Sequence, residues 1–288
     1  MNVVPRDDKR KTVWLGFGLQ SGGTTLISYC FLQRHDMFGV LDWFHDRLPD
    51  APPNPRPGRY WCKSTIASFR AEETIAYFED LGYRIQPLLV VRDVRRAFDS
   101  LIGKPYGRNS TTAEDPPLRT RFRRFSEDWR FFRTHGLPIM KLEAFIQAPE
   151  EALRRACAQM ELDWDPAMVD WPKPPGAVWD GRGGNQGFID GIGANLAASL
   201  RPAEVARPLR KIGRVDIDWL DTVFADYNAA LGYPKRLPVD QTARLPADAL
   251  VPDIRQATRY PAMQRRERLY RAVPALRRMR RKLRMEAP

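Results

Sequence analysis

Sulfur and imidazole are scarce in this chain. Its three cysteines (Cys30, Cys62 and Cys157) cannot all pair with one another, and none stands in C-x-x-C spacing. They sit in apolar contexts, which points to reduced, buried thiols in a cytosolic protein rather than a disulfide frame. The three histidines, His35, His45 and His135, are too few and too scattered to suggest a zinc site. No apolar run is long enough to cross a bilayer, and the charged N-terminus lacks the layout of a signal peptide. Internal repeats are absent as well.

Charge of one sign is missing from most of the length. The 288 residues carry a net charge of +12, yet twelve Lys or Arg and two Glu between Arg255 and Pro288 supply ten of those charges. The body is therefore nearly balanced. A basic body would have favoured nucleic acid; a basic tail reads as a separate attachment device. An apolar content of 43% is ample for a core, and 11% aromatic residues argue against global disorder.

What is present is a strand–loop–helix signal at 13–34, VWLGFGLQSGGTTLISYCFLQR. An apolar run from Val13 to Leu19 gives way to a glycine-rich turn, and Thr24 opens a run suited to a buried helix. Gly22 and Gly23 let the backbone turn sharply and approach a ligand. The helix start presents unpaired N–H groups and a positive dipole end, which suit a phosphate. Against the pattern G-x-x-x-x-G-K-[ST], the match is Gly18, Gly23, Thr24 and Thr25. Threonine stands where a lysine would reach the β- and γ-phosphates, which argues against ordinary ATP or GTP hydrolysis. A glycine-rich turn in an unrelated α/β protein is the competing reading.

Further along, alternating apolar runs and helical patterns continue. Residues 35–58, with the proline-dense end PDAPPNPRPG, read as a loop. RYWCKS at 59–64 reads as a strand with Lys63 near its end, and 69–81 as a helix capped by Gly82. IQPLLVV at 85–91 is a buried strand, followed by the helix VRRAFDSLIG and a lid-like segment at 104–117. A long helix from Leu118 to His135 carries Phe122, Phe125, Trp129 and Phe132 on one face, a stripe of core type. LPIMKLEAF at 137–145 reads as a strand, Pro149 starts a helix, and two more helices fall near 202–212 and 217–231. This alternation predicts an α/β protein: a parallel β-sheet flanked by helices on both faces. Residues 1–12 form a polar lead, 13–234 the domain, 235–262 a linker and 263–288 a basic amphipathic tail.

A second chemical stretch is LLVVRDVRRAFDSLIG at 88–103. Arg92 stands where a buried strand ends, the usual ligand crevice of a parallel sheet. Ser100 lies eight residues on, about two helical turns along. Together they suit one phosphate gripped from two directions; an Arg92–Asp93 ion pair at a turn is the plainer alternative.

The two stretches together resemble one family, the sulfotransferases that use 3′-phosphoadenosine 5′-phosphosulfate (PAPS) and have a P-loop-NTPase-like sulfotransferase fold. In that family the 5′-phosphosulfate loop runs basic residue, Ser or Gly, Gly, then two hydroxyl residues. Gln20, Ser21, Gly22, Gly23, Thr24 and Thr25 lie here, with Ser21 at the basic position. The family's 3′-phosphate site is an arginine after a buried strand and a serine eight residues later, matched by Arg92 and Ser100. MKLEAFIQAPEEALRRACAQMELDWDPAM resembles the strand, acidic loop and helix that follow, and YNAALGYP the last core helix. The resemblance covers about residues 13–234. It implies PAPS as sulfuryl donor, adenosine 3′,5′-bisphosphate as product and no metal. It also implies that Lys63, in a Lys63–Ser64–Thr65 triplet where many relatives carry K-T-H, supplies the cation that Ser21 does not. Asp42 or His45, set among aromatics in FGVLDWFHD, is the implied general base. Arg182, in GRGGNQG, would close over the 3′-phosphate. The acceptor suggested by Trp164, Trp171, Trp179 and the tail is a glycan or lipid-linked glycan. The tail itself reads as a basic amphipathic helix suited to peripheral contact with the cytoplasmic face of a membrane, with a disordered solubilising tail, or a helix docked on the protein or a partner, as the alternatives. A P-loop kinase and a non-catalytic nucleotide- or nucleic-acid-binding module remain as alternatives.

Overall fold

The computed structural model describes residues 12–41, 59–65, 70–80, 82–102, 118–170, 178–180, 196–200 and 207–238. Its strands are β1 (Thr12–Gly18), β2 (Met37–Leu41), β3 (Arg59–Thr65), β4 (Arg84–Val91), β5 (Ile139–Lys141) and β6 (Val178–Asp180). They form one parallel sheet in the order β5-β4-β1-β3-β2-β6. The helices are α1 (Thr24–Leu32), α2 (Ala71–Asp80), α3 (Val94–Ile102), α4 (Leu118–Thr134), α5 (Leu142–Gln147), α6 (Pro149–Gln159), α7 (Leu196–Ser199), α8 (Arg214–Val223) and α9 (Ala225–Leu231).

From β1 the chain passes to β2 and β3 on one side of the sheet, whereas from β4 it passes to β5 on the other. The strand order thus reverses between β1 and β4, the position where open α/β sheets bind ligands. Gly18 pairs in register with Thr65 on one side and Val90 on the other, so three strand ends finish at one level.

Both faces of the sheet are covered. Val13, Leu15, Phe17, Tyr60, Cys62, Leu89 and Val91 share one core with residues of α2, α3, α4, α8 and α9. Trp14, Trp61, Leu88 and Val90 share the other with α1, α5 and α6. Such double burial is why these strands read as near-continuous apolar runs. The aromatic stripe of α4 is core as expected: Phe132 meets Phe17 edge-on at 6.0 Å, and Trp129 meets Tyr227 at 5.2 Å. All three cysteines are free and buried, and burial pushes their thiols up.

Several elements differ from the sequence reading, among them the strand β6 and the short helix α7, which no sequence signal marked. The stretch read as a loop at 35–58 contains β2, whose Gly39 hides it from strand propensity. A Cβ there would fall 1.6 Å from Leu32 Cδ2, so glycine is what lets α1 lie against this strand. The strand expected over 137–145 is three residues long, and Leu142 begins α5. That switch brings Glu143 to the strand ends, where it accepts from Asp93 N at 3.0 Å and from Tyr233 Oη at 3.0 Å. Of the helix expected near 202–212, the described residues 207–212 are non-helical. There Asp99 Oδ1 accepts from the backbone N–H groups of Arg210 and Ile212 at 3.0 and 2.9 Å. The helix expected over 217–231 is two, α8 and α9, broken at Phe224. The lid-like segment 104–117, the polar lead up to residue 11 and the chain from 239 onward lie outside the described residues. Among the described residues, no helix is long and apolar enough to cross a membrane.

Asp128 on α4 is wholly buried, accepting from Ala71 N at the start of α2 at 3.1 Å, while its Oδ2 makes no hydrogen bond among the described residues. Burial pushes its carboxyl up to about 7. The folded state therefore holds a proton that the unfolded chain has released. The stability this contributes is present below about pH 4 and is lost as pH rises through about 7. Asp128→Asn keeps the acceptor for Ala71 and cannot ionise. Its melting temperature relative to wild type should rise between pH 5 and about pH 7 and level off above that; parallel pH profiles would contradict this.

Candidate active site

The turn after β1 is closed by Gly22 N donating to Leu19 O at 3.0 Å. Ser21 and Gly23 both take left-handed conformations, with φ +61° and +87°. At Gly23 a Cβ would stand 2.5 Å from Leu142 Cδ1, and at Gly18 one would stand 2.8 Å from Val90 O. The loop is thus pressed onto β4 and α5, and bare backbone is what lets it turn there. Gly23→Ala adds left-handed strain of about 1–2 kcal/mol to the clash with Leu142. It should lower both melting temperature and nucleotide affinity; unchanged affinity in a thermal-shift titration would contradict the cradle.

Gly23 is the N-cap of α1, and no side chain caps that end or places a carboxylate in its first turn. The first-turn N–H groups and the dipole therefore offer an anion site directly behind β1. Thr24 is buried and Thr25 half-buried beside it.

Lys63 reaches this helix end from the neighbouring strand. It shares a face of β3 with Trp61, whose ring stacks flat on Phe31 of α1 at 4.0 Å. That stack fixes strand against helix, and two residues on Lys63 Nζ donates to Thr25 Oγ1 at 2.8 Å. Lys63 is only 3% exposed, so it is not a solvent-facing strand-end lysine.

Arg92 follows β4 across the crevice. Its Nη1 donates to Ser21 O at 2.8 Å, and its own carbonyl accepts from Tyr227 Oη at 2.7 Å. The Nε of Arg92 is buried and makes no hydrogen bond among the described residues. Asp93 pairs with Arg95 instead, at 2.8 Å, and Arg95 also holds Pro234 O at 2.7 Å. The ion pair at this turn is therefore structural, and Arg92 is turned towards the loop.

The structure brings Gln20, Ser21, Gly22, Gly23, Thr24, Thr25, Lys63 and Arg92 to one edge of the sheet. Ser100 sits half-buried on α3, the helix that starts two residues after Arg92. Asp42, His45 and Arg182 lie outside the described residues. β2 ends at Leu41, one residue before Asp42, and β6 ends at Asp180, two before Arg182; these two strand ends pair with each other.

One side chain at this edge is unmarked by any motif. Arg121 of α4 donates through Nη1 to Gln20 Oε1. Its helical spacing carried the signal: Arg121, Phe125 and Trp129 are four apart and share the buried stripe.

The set fits a polyanion, by the uncapped helix start, the buried donor of Arg92 and the inward-reaching Lys63. No protein-family model and no curated protein matches the chain. Among solved structures, it is similar to the sulfotransferase domain from the Synechococcus PCC 7002 olefin synthase, with a TM-score of 0.51 and 12% identity over 77% of this chain and 97% of that domain. It is also similar to the sulfotransferase domain from the curacin biosynthetic pathway, with a TM-score of 0.52 and 12% identity over 80% of this chain and all of that domain. The chain has the fold of these sulfotransferase domains.

Proposed function

We propose that this protein is a sulfotransferase that moves a sulfuryl group from PAPS to an acceptor hydroxyl. The observation that carries this reading is the Arg92 Nη1–Ser21 O hydrogen bond. It ties the cation behind β4 to the loop behind β1, which supports reading the two as one two-ended anion site across the switch point. In this reading the 5′ end of the donor rests on the N–H groups of Gly22 to Thr25 and the hydroxyls of Thr24 and Thr25. Arg92, Ser100 and Arg182 hold the 3′-phosphate.

The donor supplies an electrophilic sulfur: the acceptor oxygen bonds to it, the sulfur–oxygen bond to phosphate breaks, and the phosphate oxygen keeps the electron pair. Lys63 and the N–H groups of the α1 start stabilise the charge that gathers there. Asp42 or His45 takes the acceptor proton. The acceptor we propose is a carbohydrate or glycolipid hydroxyl, and the amphipathic tail holds the enzyme at the cytoplasmic face of a membrane.

The test is transfer of radiolabelled sulfate from PAPS to a panel of carbohydrate, glycolipid, aliphatic and phenolic hydroxyls. Labelled product is expected, and its absence across the panel with no hydrolysis of the donor would contradict the assignment. Removal of 255–288 should release the protein from anionic vesicles in sedimentation and leave turnover of a soluble acceptor unchanged. Loss of turnover would show that the tail is not merely an anchor.

A further inference from the structure

The peptide group that joins Arg92 to Asp93 lies just past the last residue of β4. Side chains hold both of its polar atoms. The Arg92 carbonyl accepts from Tyr227 Oη at 2.7 Å, and the Asp93 N–H donates to Glu143 Oε1 at 3.0 Å. Because a peptide group is planar, holding these two atoms fixes ψ of Arg92 and φ of Asp93 together.

The two holders are themselves joined. Glu143 Oε2 accepts from Tyr233 Oη at 3.0 Å, and the Tyr233 ring stacks on that of Tyr227 with centroids 5.7 Å apart. Gly232 makes the stack possible: its φ of +65° ends α9 and turns the chain back, and Tyr233 N donates to Asn228 O at 2.9 Å. Lys141 braces the same turn, with Nζ donating to Leu231 O at 2.8 Å and lying over the Tyr233 ring. Tyr227 is 1% exposed, so its hydroxyl is a buried polar group committed to one carbonyl. From the held peptide the Arg92 side chain runs to the turn behind β1 and reaches Ser21 O. A guanidinium recognises phosphate by the direction of its N–H groups, so a rotation at its own peptide misaims it.

We infer that Tyr227, Tyr233 and Glu143 form a clamp on the Arg92–Asp93 peptide that aims the Arg92 guanidinium and thereby sets the preference for a nucleotide carrying a 3′-phosphate. The three are positioning residues that act through Arg92. The inference rests on the sulfotransferase reading, in which Arg92 holds that phosphate.

Tyr227→Phe removes one oxygen and keeps the ring that packs on Phe125, Trp129 and Tyr233. Calorimetric titration should show adenosine 3′,5′-bisphosphate weakened about tenfold, with adenosine 5′-monophosphate within about twofold of wild type. In hydrolysis of radiolabelled PAPS, which needs no acceptor, the donor KM should rise in step while kcat stays within about twofold. Tyr233→Phe, one link further out, should shift the ratio of the two affinities the same way by about threefold. In the Arg92→Ala background, Tyr227→Phe should cost the bisphosphate nothing further. Leu153→Val, in the core on the other face of the sheet, should lower the melting temperature and leave the affinity ratio unchanged.

A wild-type ratio in both tyrosine variants, or equal weakening of both nucleotides, overturns the inference and leaves the sulfotransferase reading intact. A full tenfold loss on top of Arg92→Ala, or a ratio that shifts in Leu153→Val as well, overturns it too. If Tyr227→Phe does not fold, Tyr233→Phe decides alone: a shifted ratio supports the clamp and a wild-type ratio overturns it. A wild-type protein that neither prefers the bisphosphate nor hydrolyses PAPS sinks the sulfotransferase reading and takes this inference with it.

Discussion

Replacing Lys63 by methionine should lower kcat for sulfuryl transfer by about 10²–10³-fold and leave the protein folded. Lys63 is buried on β3 and its Nζ is 2.8 Å from Thr25 Oγ1, at the helix end where the leaving oxygen would gain charge. Methionine keeps the unbranched length and the packing beside Trp61 while removing the ammonium. Because the ammonium acts on charge that grows during bond breaking, the loss should fall on kcat more than on the donor KM. A single-turnover measurement with saturating donor separates the two. Equal losses in affinity and rate would make Lys63 a binding residue only, and an unchanged kcat would remove it from the chemistry.

Arg92→Ala should weaken adenosine 3′,5′-bisphosphate by on the order of 10²-fold, the worth of losing charge-assisted hydrogen bonds to a phosphate. Its effect on adenosine 5′-monophosphate should be small, since that nucleotide lacks the 3′-phosphate. The contrast matters because Arg92 also braces the loop through Ser21 O. Loss of the brace alone would weaken both nucleotides alike. Tyr227 Oη holds the Arg92 carbonyl independently of the side chain, so the strand end should stay in place. Calorimetric titration of both nucleotides against both proteins separates the roles, and equal weakening would assign Arg92 to the loop's shape rather than to the ligand.

Much of the turn behind β1 was legible because backbone chemistry dictates it. Gly22, Gly23 and the paired threonines can turn a strand into a helix, and an arginine ending VVR cannot stay inside the sheet. β2 was hidden because Gly39 and the nearby prolines depress strand propensity, whereas its place depends on close contact with Leu32, a tertiary fact. The short β5 was overrun for a related reason: LEAF suits a strand or a helix, and Glu143 is drawn into α5 by donors on Asp93 and Tyr233 that lie far away in sequence. Arg121 stood in a run of arginines that looks solvated by composition. Only its spacing from Phe125 and Trp129 sets it apart from Arg119, Arg123 and Arg124.

The central claim is that the turn behind β1 and the arginine behind β4 bind the two ends of one nucleotide. The most direct measurement is the affinity of the wild-type protein for adenosine 3′,5′-bisphosphate beside adenosine 5′-monophosphate and Mg²⁺·ATP under one set of conditions. The account predicts that the bisphosphate binds tightest; held at about 100 times its Kd, it raises stability by about 2.7 kcal/mol and shifts the melting temperature visibly. Mg²⁺·ATP binding as tightly as the bisphosphate, or a 3′-phosphate that adds nothing over the monophosphate, would contradict it.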